Sequence, residues 1–171
     1  MKDQVWQPGK SVIYKLSAKA INTLSNPEVV YPTTWTAVGY PKQSFNANEA
    51  VGLYAVSKDG KVVIPNIKLV KQQDDQGNPI WKTENNQRFL FTTNYKYFAY
   101  YPYSKTEKTI DKEATTAAEF FKDMIDKWTP VSAQQDVNTL VSQDLQVASG
   151  VVKADASTLE FKMDHQVSLR Y

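Results

Sequence analysis

Residues 159–171 read LEFKMDHQVSLRY and alternate between apolar and polar side chains. The odd positions carry the apolar and aromatic residues together with the single histidine of the chain, namely Leu159, Phe161, Met163, His165, Val167, Leu169 and Tyr171. A period of two predicts a β-strand with one buried face. We expect residues 159–165 to close a sheet as its last strand, with Phe161 and Met163 buried. Residues 167–171 either extend that strand or pair with a neighbouring molecule.

Other segments carry strand signals of the same kind. Residues 12–20 place apolar side chains on even positions, which predicts a half-buried strand. Residues 51–56 (VGLYAV) are almost wholly apolar, which predicts a strand buried on both faces. Lys58-Asp59-Gly60 then forms a hairpin turn, because glycine accepts the positive φ that such turns require. The sequence predicts that residues 61–70 return as the partner strand.

The aromatic centre of the chain is the segment 88–103, RFLFTTNYKYFAYYPY. As a strand it places Phe98 and Tyr100 on one face and a larger set on the other, namely Tyr95, Tyr97, Ala99, Tyr101 and Tyr103. Because both faces are aromatic, core packing between two sheets is the favoured interpretation. The alternative is that Tyr95, Tyr97 and Tyr101 stack against sugar rings as a ligand-binding surface.

One segment departs from the β pattern and predicts a short amphipathic helix near 116–128. Its apolar residues recur at steps of three and four, as Ala117, Phe120, Phe121, Met124, Ile125 and Trp128. Thr116 and Glu119 form a capping box at its start, and Thr129-Pro130 ends it.

Composition excludes several classes of function. The net charge of the 171 residues is +2, from 20 basic and 18 acidic side chains that are interspersed, which gives no strong field for nucleic acid. Cysteine is absent and only six glycines occur, which removes thiolate zinc sites and phosphate-binding loops. His165 falls on the apolar face of its strand and is expected to be a packing residue. We therefore predict no enzyme activity, no catalytic residue, no cofactor and no metal site.

Several segments in fixed order carry a family resemblance. They are FNANEAVGLYA at 45–55, Trp81, YFAYYPY at 97–103, DLQVA at 144–148 and LEFKMDH at 159–165. This set resembles the N-terminal domain of the fimbrillin-like proteins of Bacteroidetes, the subunits of type V pili.

The resemblance implies a mainly β fold, a Greek-key, transthyretin-like β-sandwich. It also implies a secreted lipoprotein, exported through the outer membrane, that acts as a pilus subunit or tip adhesin at the cell surface. Its partners would be other pilus subunits, joined by donor-strand exchange, and host or bacterial surface glycans or proteins. We expect one domain over 1–171, with 1–10 a loose tail and the family's second domain absent. The alternative function is a glycan-binding surface module that uses exposed tyrosines.

Overall fold

A computed structural model of the chain describes residues 25–30, 44–129, 144–153 and 158–166. The predicted strand at 12–20, the tail at 1–10 and residues 167–171 lie outside these ranges. The described residues form eight strands and two short helices, in the order β1 (Glu28–Val30), β2 (Ala50–Ser57), β3 (Val62–Gln73), β4 (Pro79–Lys82), β5 (Tyr95–Tyr101), α1 (Ala117–Phe120), α2 (Lys122–Asp126), β6 (Gln146–Val152), β7 (Leu159–Lys162) and β8 (Asp164–His165).

The strands form one sheet in the order β1-β7-β6-β5-β2-β3-β4, and β8 also pairs with β6. Neighbouring strands are antiparallel, except that β1 runs parallel to β7. The sheet curls until its edge strands β1 and β4 approach each other, with Cα atoms closer than 8 Å. This nearly closed sheet with apolar side chains inside confirms the predicted mainly β sandwich class.

β7 and β8 act as one strand along β6. Gly150 pairs with Phe161 and Gln146 pairs with His165, so the register is the same on both sides of Met163. On the other side, the Met163 N–H donates to the Val30 C=O at 2.9 Å. Phe161 and Met163 are fully buried, which confirms their predicted burial. The strand is not the last of the sheet, however, because β7 lies between β1 and β6.

The hairpin of β2 and β3 also follows the prediction. All residues from 51 to 56 are buried, and the turn contains Gly60 at a φ of 77°. Asn66, at a φ of 37°, lies opposite a register shift between Leu53 and Ala55. The shift is a bulge, because an extra residue of β3 stands against β2 at this point.

Apolar side chains pack on both faces of β5, as its sequence predicts. Tyr97, Ala99 and Tyr101 belong to the inner core, whereas Phe98 and Tyr100 belong to an outer cluster with Phe120 and Phe121 of the helical segment. Within the described part of the chain, the outer cluster is therefore covered by the helical segment, whereas the sequence predicts packing between two sheets. Tyr103, predicted on the face of Tyr97, packs in the outer cluster instead, because β5 ends at Tyr101.

The helical segment is shorter and less regular than predicted. The capping box of Thr116 and Glu119 is present, but the helix is interrupted at Phe121, which has φ −102° and ψ 18°. Phe120 stacks on Phe98 with 4.1 Å between ring centroids, and Phe121 packs against Tyr100. A regular helix turns consecutive side chains about 100° apart, so burying both rings on the same sheet face bends the backbone between them. No helix in the described ranges is long and apolar enough to cross a membrane.

Candidate functional site

The three tyrosines predicted for ligand stacking lie in different environments. Tyr97 and Tyr101 are 2% and 4% exposed, whereas Tyr95 is 37% exposed. The Tyr101 hydroxyl donates to Glu49 Oε1 at 2.9 Å, and burial together with this negative charge raises the pKa of its phenol. Stacking requires an accessible ring face, so the structure places Tyr97 and Tyr101 in the core, against that prediction. The glycan alternative retains Tyr95 alone.

His165 is a buried packing residue, as predicted. Its side chain is 1% exposed, and its Nδ1 lies 2.5 Å from Oδ2 of Asp144, which is also buried. The Gln146 side-chain amide donates to the same carboxylate oxygen at 2.9 Å. This group fastens β8 to the start of β6 inside the protein, where no substrate reaches it. Elsewhere in the described ranges, no group of three acidic or histidine side chains is placed to hold a metal ion.

The most distinctive surface feature is the gap between the edge strands β1 and β4, which we call the seam. It encloses a groove of about 650 Å³. Apolar side chains supply much of its lining, notably Pro27, Val29, Pro79, Ile80 and Trp81, and Lys71 is the basic residue among them. Trp81 is held by the ring of Phe45, edge to face at 5.1 Å, so the floor of the groove is packed from below.

The backbone of Trp81 points into the seam. Its partner on β3 is Lys71, whose N–H and C=O are bonded to Glu49 and Asn48 on the far side of β3. Lys71 and Trp81 are therefore a non-hydrogen-bonded pair of the antiparallel ladder. The N–H and C=O of Trp81 consequently face away from β3, toward β1.

The backbone of Val29 points into the seam from the opposite side. The C=O of Val30 accepts from Met163 on β7, and the direction of these groups alternates along a strand. Val29 therefore directs its N–H and C=O toward β4. In the described ranges, no residue is hydrogen-bonded to these groups of Val29 or Trp81.

Among the described residues, backbone hydrogen bonds cross the seam at one end only. Ser25 and Phe89 exchange two backbone hydrogen bonds, of 2.9 and 3.1 Å, which join the β1 side to the β4 side. At the other end stand Val30 and Pro79, where no backbone bond between described residues crosses the gap.

The sequence does not predict Val29 and Trp81 as functional residues. Each is one apolar residue in a short strand, and nothing in the local pattern marks it. What makes them significant is that β1 and β4 become the two edges of the sheet. Strand order is a property of the whole chain, so no motif of either segment reports it.

Comparison with known proteins gives a fold but no family. No family model matches the sequence, and no curated protein does. A crystal structure of a fimbrial protein from Bacteroides ovatus matches with a TM-score of 0.61 at 19% sequence identity. The match covers 85% of this chain and 29% of that protein, so the chain spans less than a third of its length.

A putative cell adhesion protein from Bacteroides uniformis matches with a TM-score of 0.43 at 22% identity, over 71% of this chain and 42% of that protein. At this level of sequence identity, similarity concerns the backbone fold only. The similarity in fold rests on the match to the Bacteroides ovatus protein. The backbone of this chain is therefore similar in fold to part of the fimbrial protein from Bacteroides ovatus.

Proposed function

We propose that the chain is an adhesive cell-surface protein, a fimbrial subunit or tip adhesin, that joins its neighbours by accepting an extended strand into the seam. In this proposal residues 1–171 act as one domain. Its partners are other subunits, and it reaches the surface as a lipoprotein exported through the outer membrane. Support comes from the fold, which it shares with a fimbrial protein, and from the seam itself.

One observation carries the proposal: the backbone N–H and C=O groups of Val29 and Trp81, to which no described residue is hydrogen-bonded, are directed toward the same apolar groove. An extended segment placed between them gains main-chain hydrogen bonds on both of its edges, which is the means by which strand addition produces affinity. Its alternate side chains enter the space beside Val29 and Trp81, which are 6% and 5% exposed. Such an insertion completes the sheet and removes both exposed edges.

Insertion requires a small opening of the seam. Neighbouring strands lie about 4.8 Å apart, so an inserted strand sets β1 and β4 roughly 9.6 Å apart. The two strands now have Cα atoms closer than 8 Å. Insertion therefore requires them to move apart by less than the spacing of about 4.8 Å between neighbouring strands. β1 is able to move because it is three residues long and pairs with β7 in parallel, the weaker form of pairing.

Joining the two edges chemically tests this function. Glu28 and Ile80 alternate with the buried Val29 and Trp81 and lie at the rim of the groove, and the chain has no cysteine of its own. In the variant E28C/I80C, a short dithiol-reactive cross-linker closes the seam without changing a core side chain. We expect sedimentation velocity to show assembly before cross-linking and only monomer after it.

The control places the same cross-linker elsewhere. K122C/D126C joins two exposed positions one helical turn apart on α2, far from the seam, and should leave assembly unchanged. Assembly that persists after the seam is closed, or a chain that stays monomeric with the seam open, would contradict the proposed function.

A further inference from the structure

We propose that a small pocket between α2 and the loop after β5 binds a neutral hexose, which packs one face of its ring on the indole of Trp128. The pocket has a volume of about 360 Å³ and shares no lining residue with the seam. The inference therefore goes beyond the proposed function and does not depend on it.

Two short segments form the walls of the pocket. They are residues 106–109 of the loop and residues 123, 124 and 127–129 at the end of α2. The Lys108 N–H donates to the Tyr54 hydroxyl at 3.3 Å, and the Asn66 side-chain amide donates to the Thr106 C=O at 3.4 Å. On the other wall, Met124 packs against the outer cluster. Both walls are thus fastened to the sheet, so the pocket is formed before a ligand arrives.

Trp128 supplies the aromatic surface of the pocket. The sequence predicts it as the last member of the apolar helical stripe, packed like the others in the core. Met124 and Ile125 do pack against the outer cluster, whereas Trp128 belongs to neither apolar cluster formed by the described residues. It is only partly buried, and it lines the pocket. An accessible indole beside polar groups offers a flat apolar surface to the C–H face of a sugar ring.

The polar lining of the pocket is balanced in charge. It consists of two acidic residues, two lysines and two threonines, namely Glu107, Asp123, Lys108, Lys127, Thr106 and Thr109. Asp123 and Lys127 already neutralise each other, with 2.6 Å between Oδ1 and Nζ. Hydroxyl groups both donate and accept hydrogen bonds, so those of a sugar can use carboxylates, ammonium groups and threonines alike. A charged ligand would instead meet a like charge in the same small space. The lining therefore favours a neutral ligand with many hydroxyl groups.

Lys108 is the charged side chain of the pocket that gains most from a ligand. Its Nζ lies over the ring of Tyr100, 5.4 Å from the centroid, and none of the ion pairs between described residues includes it. Partial burial withdraws the ammonium from water and lowers its pKa. An ammonium carries three donors, so sugar hydroxyls that accept from it replace the lost water. We expect Lys108 to hold the sugar by such bonds while Trp128 supports its ring.

The size of the pocket limits the ligand to one sugar ring. Small-molecule sites usually enclose about 300–1,000 Å³, and this pocket is near the lower limit. Few atoms are then in contact, so we expect a dissociation constant of about 1 mM for a single hexose. A longer glycan would place one of its residues in the pocket.

NMR titration of the whole chain tests the site. The chain has four tryptophans, and the indole N–H signal that disappears in W128F is the signal of Trp128. The probes are methyl β-D-glucopyranoside, methyl β-D-galactopyranoside and methyl α-D-mannopyranoside, each added separately. We expect at least one of them to shift the Trp128 signal in a saturable way.

Matched variants assign the binding to this pocket. K108M removes the ammonium but keeps most of the aliphatic stem, and it should weaken binding by about fivefold or more. K105M makes the same replacement at an exposed lysine of the same loop that does not line the pocket, and it should change affinity by less than about twofold. Y95A should also leave binding unchanged, which separates this site from a sugar stacked on Tyr95.

Three results would overturn the inference. They are no saturable shift of Trp128 with any of the three glycosides, binding by K108M that equals binding by K105M, and tighter binding of methyl β-D-glucuronide than of the glucoside. Chemical closure of the seam in E28C/I80C should leave sugar binding unchanged, because the two sites share no residue. Failure of sugar binding would therefore leave the proposed function standing, and failure of assembly would leave the sugar site standing.

Discussion

F161A is expected to lower the free energy of unfolding by about 3–5 kcal/mol, the usual cost of removing a fully buried phenylalanine ring. Phe161 is completely buried in β7. Its ring fits against Gly150, where an added Cβ would lie only 2.8 Å from the ring. Urea unfolding followed by circular dichroism measures the loss.

Two further variants serve as a comparison and a control for F161A. F161L keeps most of the volume and should cost clearly less than F161A. K162A removes an exposed side chain next along the same strand and should stay within about 0.5 kcal/mol of the original protein. A loss below about 1 kcal/mol for F161A would contradict the placement of residues 159–162 at the centre of the core.

D144A is expected to lower the free energy of unfolding by about 1–3 kcal/mol, the usual cost of leaving a buried polar group without its hydrogen-bond partner. Asp144 and His165 are 2% and 1% exposed, and the carboxylate also accepts the amide of Gln146. Removing the carboxylate takes away the acceptor of the Gln146 amide and the polar neighbour of His165 at the point where β8 meets β6. Thermal and urea unfolding of the variant measure the effect.

The double variant D144L/H165L tests why D144A is expected to be destabilising. If the cost of D144A comes from uncompensated burial of its partners, replacing both members by apolar side chains should recover much of the loss. D164A, an exposed neighbour of the pair, serves as the control and should be nearly neutral. A double variant less stable than D144A would show that His165 is held mainly by other contacts.

Strong local alternation made part of the fold predictable. Residues 159–165 are recognisable because their apolar side chains alternate with polar ones. Residues 51–56 are recognisable because they form a continuous apolar run. The two faces of β5 were assigned correctly at Tyr97, Phe98 and Tyr100 for the same reason. What covers the outer face was not predictable, because a sheet and a pair of helices bury aromatic side chains equally well. The interruption of the helix at Phe121 is not predictable either. It arises because two adjacent rings are buried on the same sheet face, which a regular helix does not allow.

Local sequence patterns do not predict the candidate site. Val29 and Trp81 stand in strands of three and four residues, and their backbone direction depends on the register with β7 and β3. Tyr97 and Tyr101 looked like a ligand surface because one face of their strand is rich in tyrosine. The curl of the sheet turned that face inward, and this is a tertiary effect that no single strand encodes.

Amide hydrogen exchange at Val29 and Trp81 tests most directly whether the seam receives a strand. The neighbours Val30 and Ile80 direct their backbone groups to β7 and β3 and serve as internal references. In dilute monomer, the amides of Val29 and Trp81 should exchange faster than those references. In assembled protein, read by NMR after quenching, both should slow by about tenfold or more as they gain hydrogen bonds to the inserted strand. Equal exchange of Val29 and Trp81 in monomer and assembly would contradict the account.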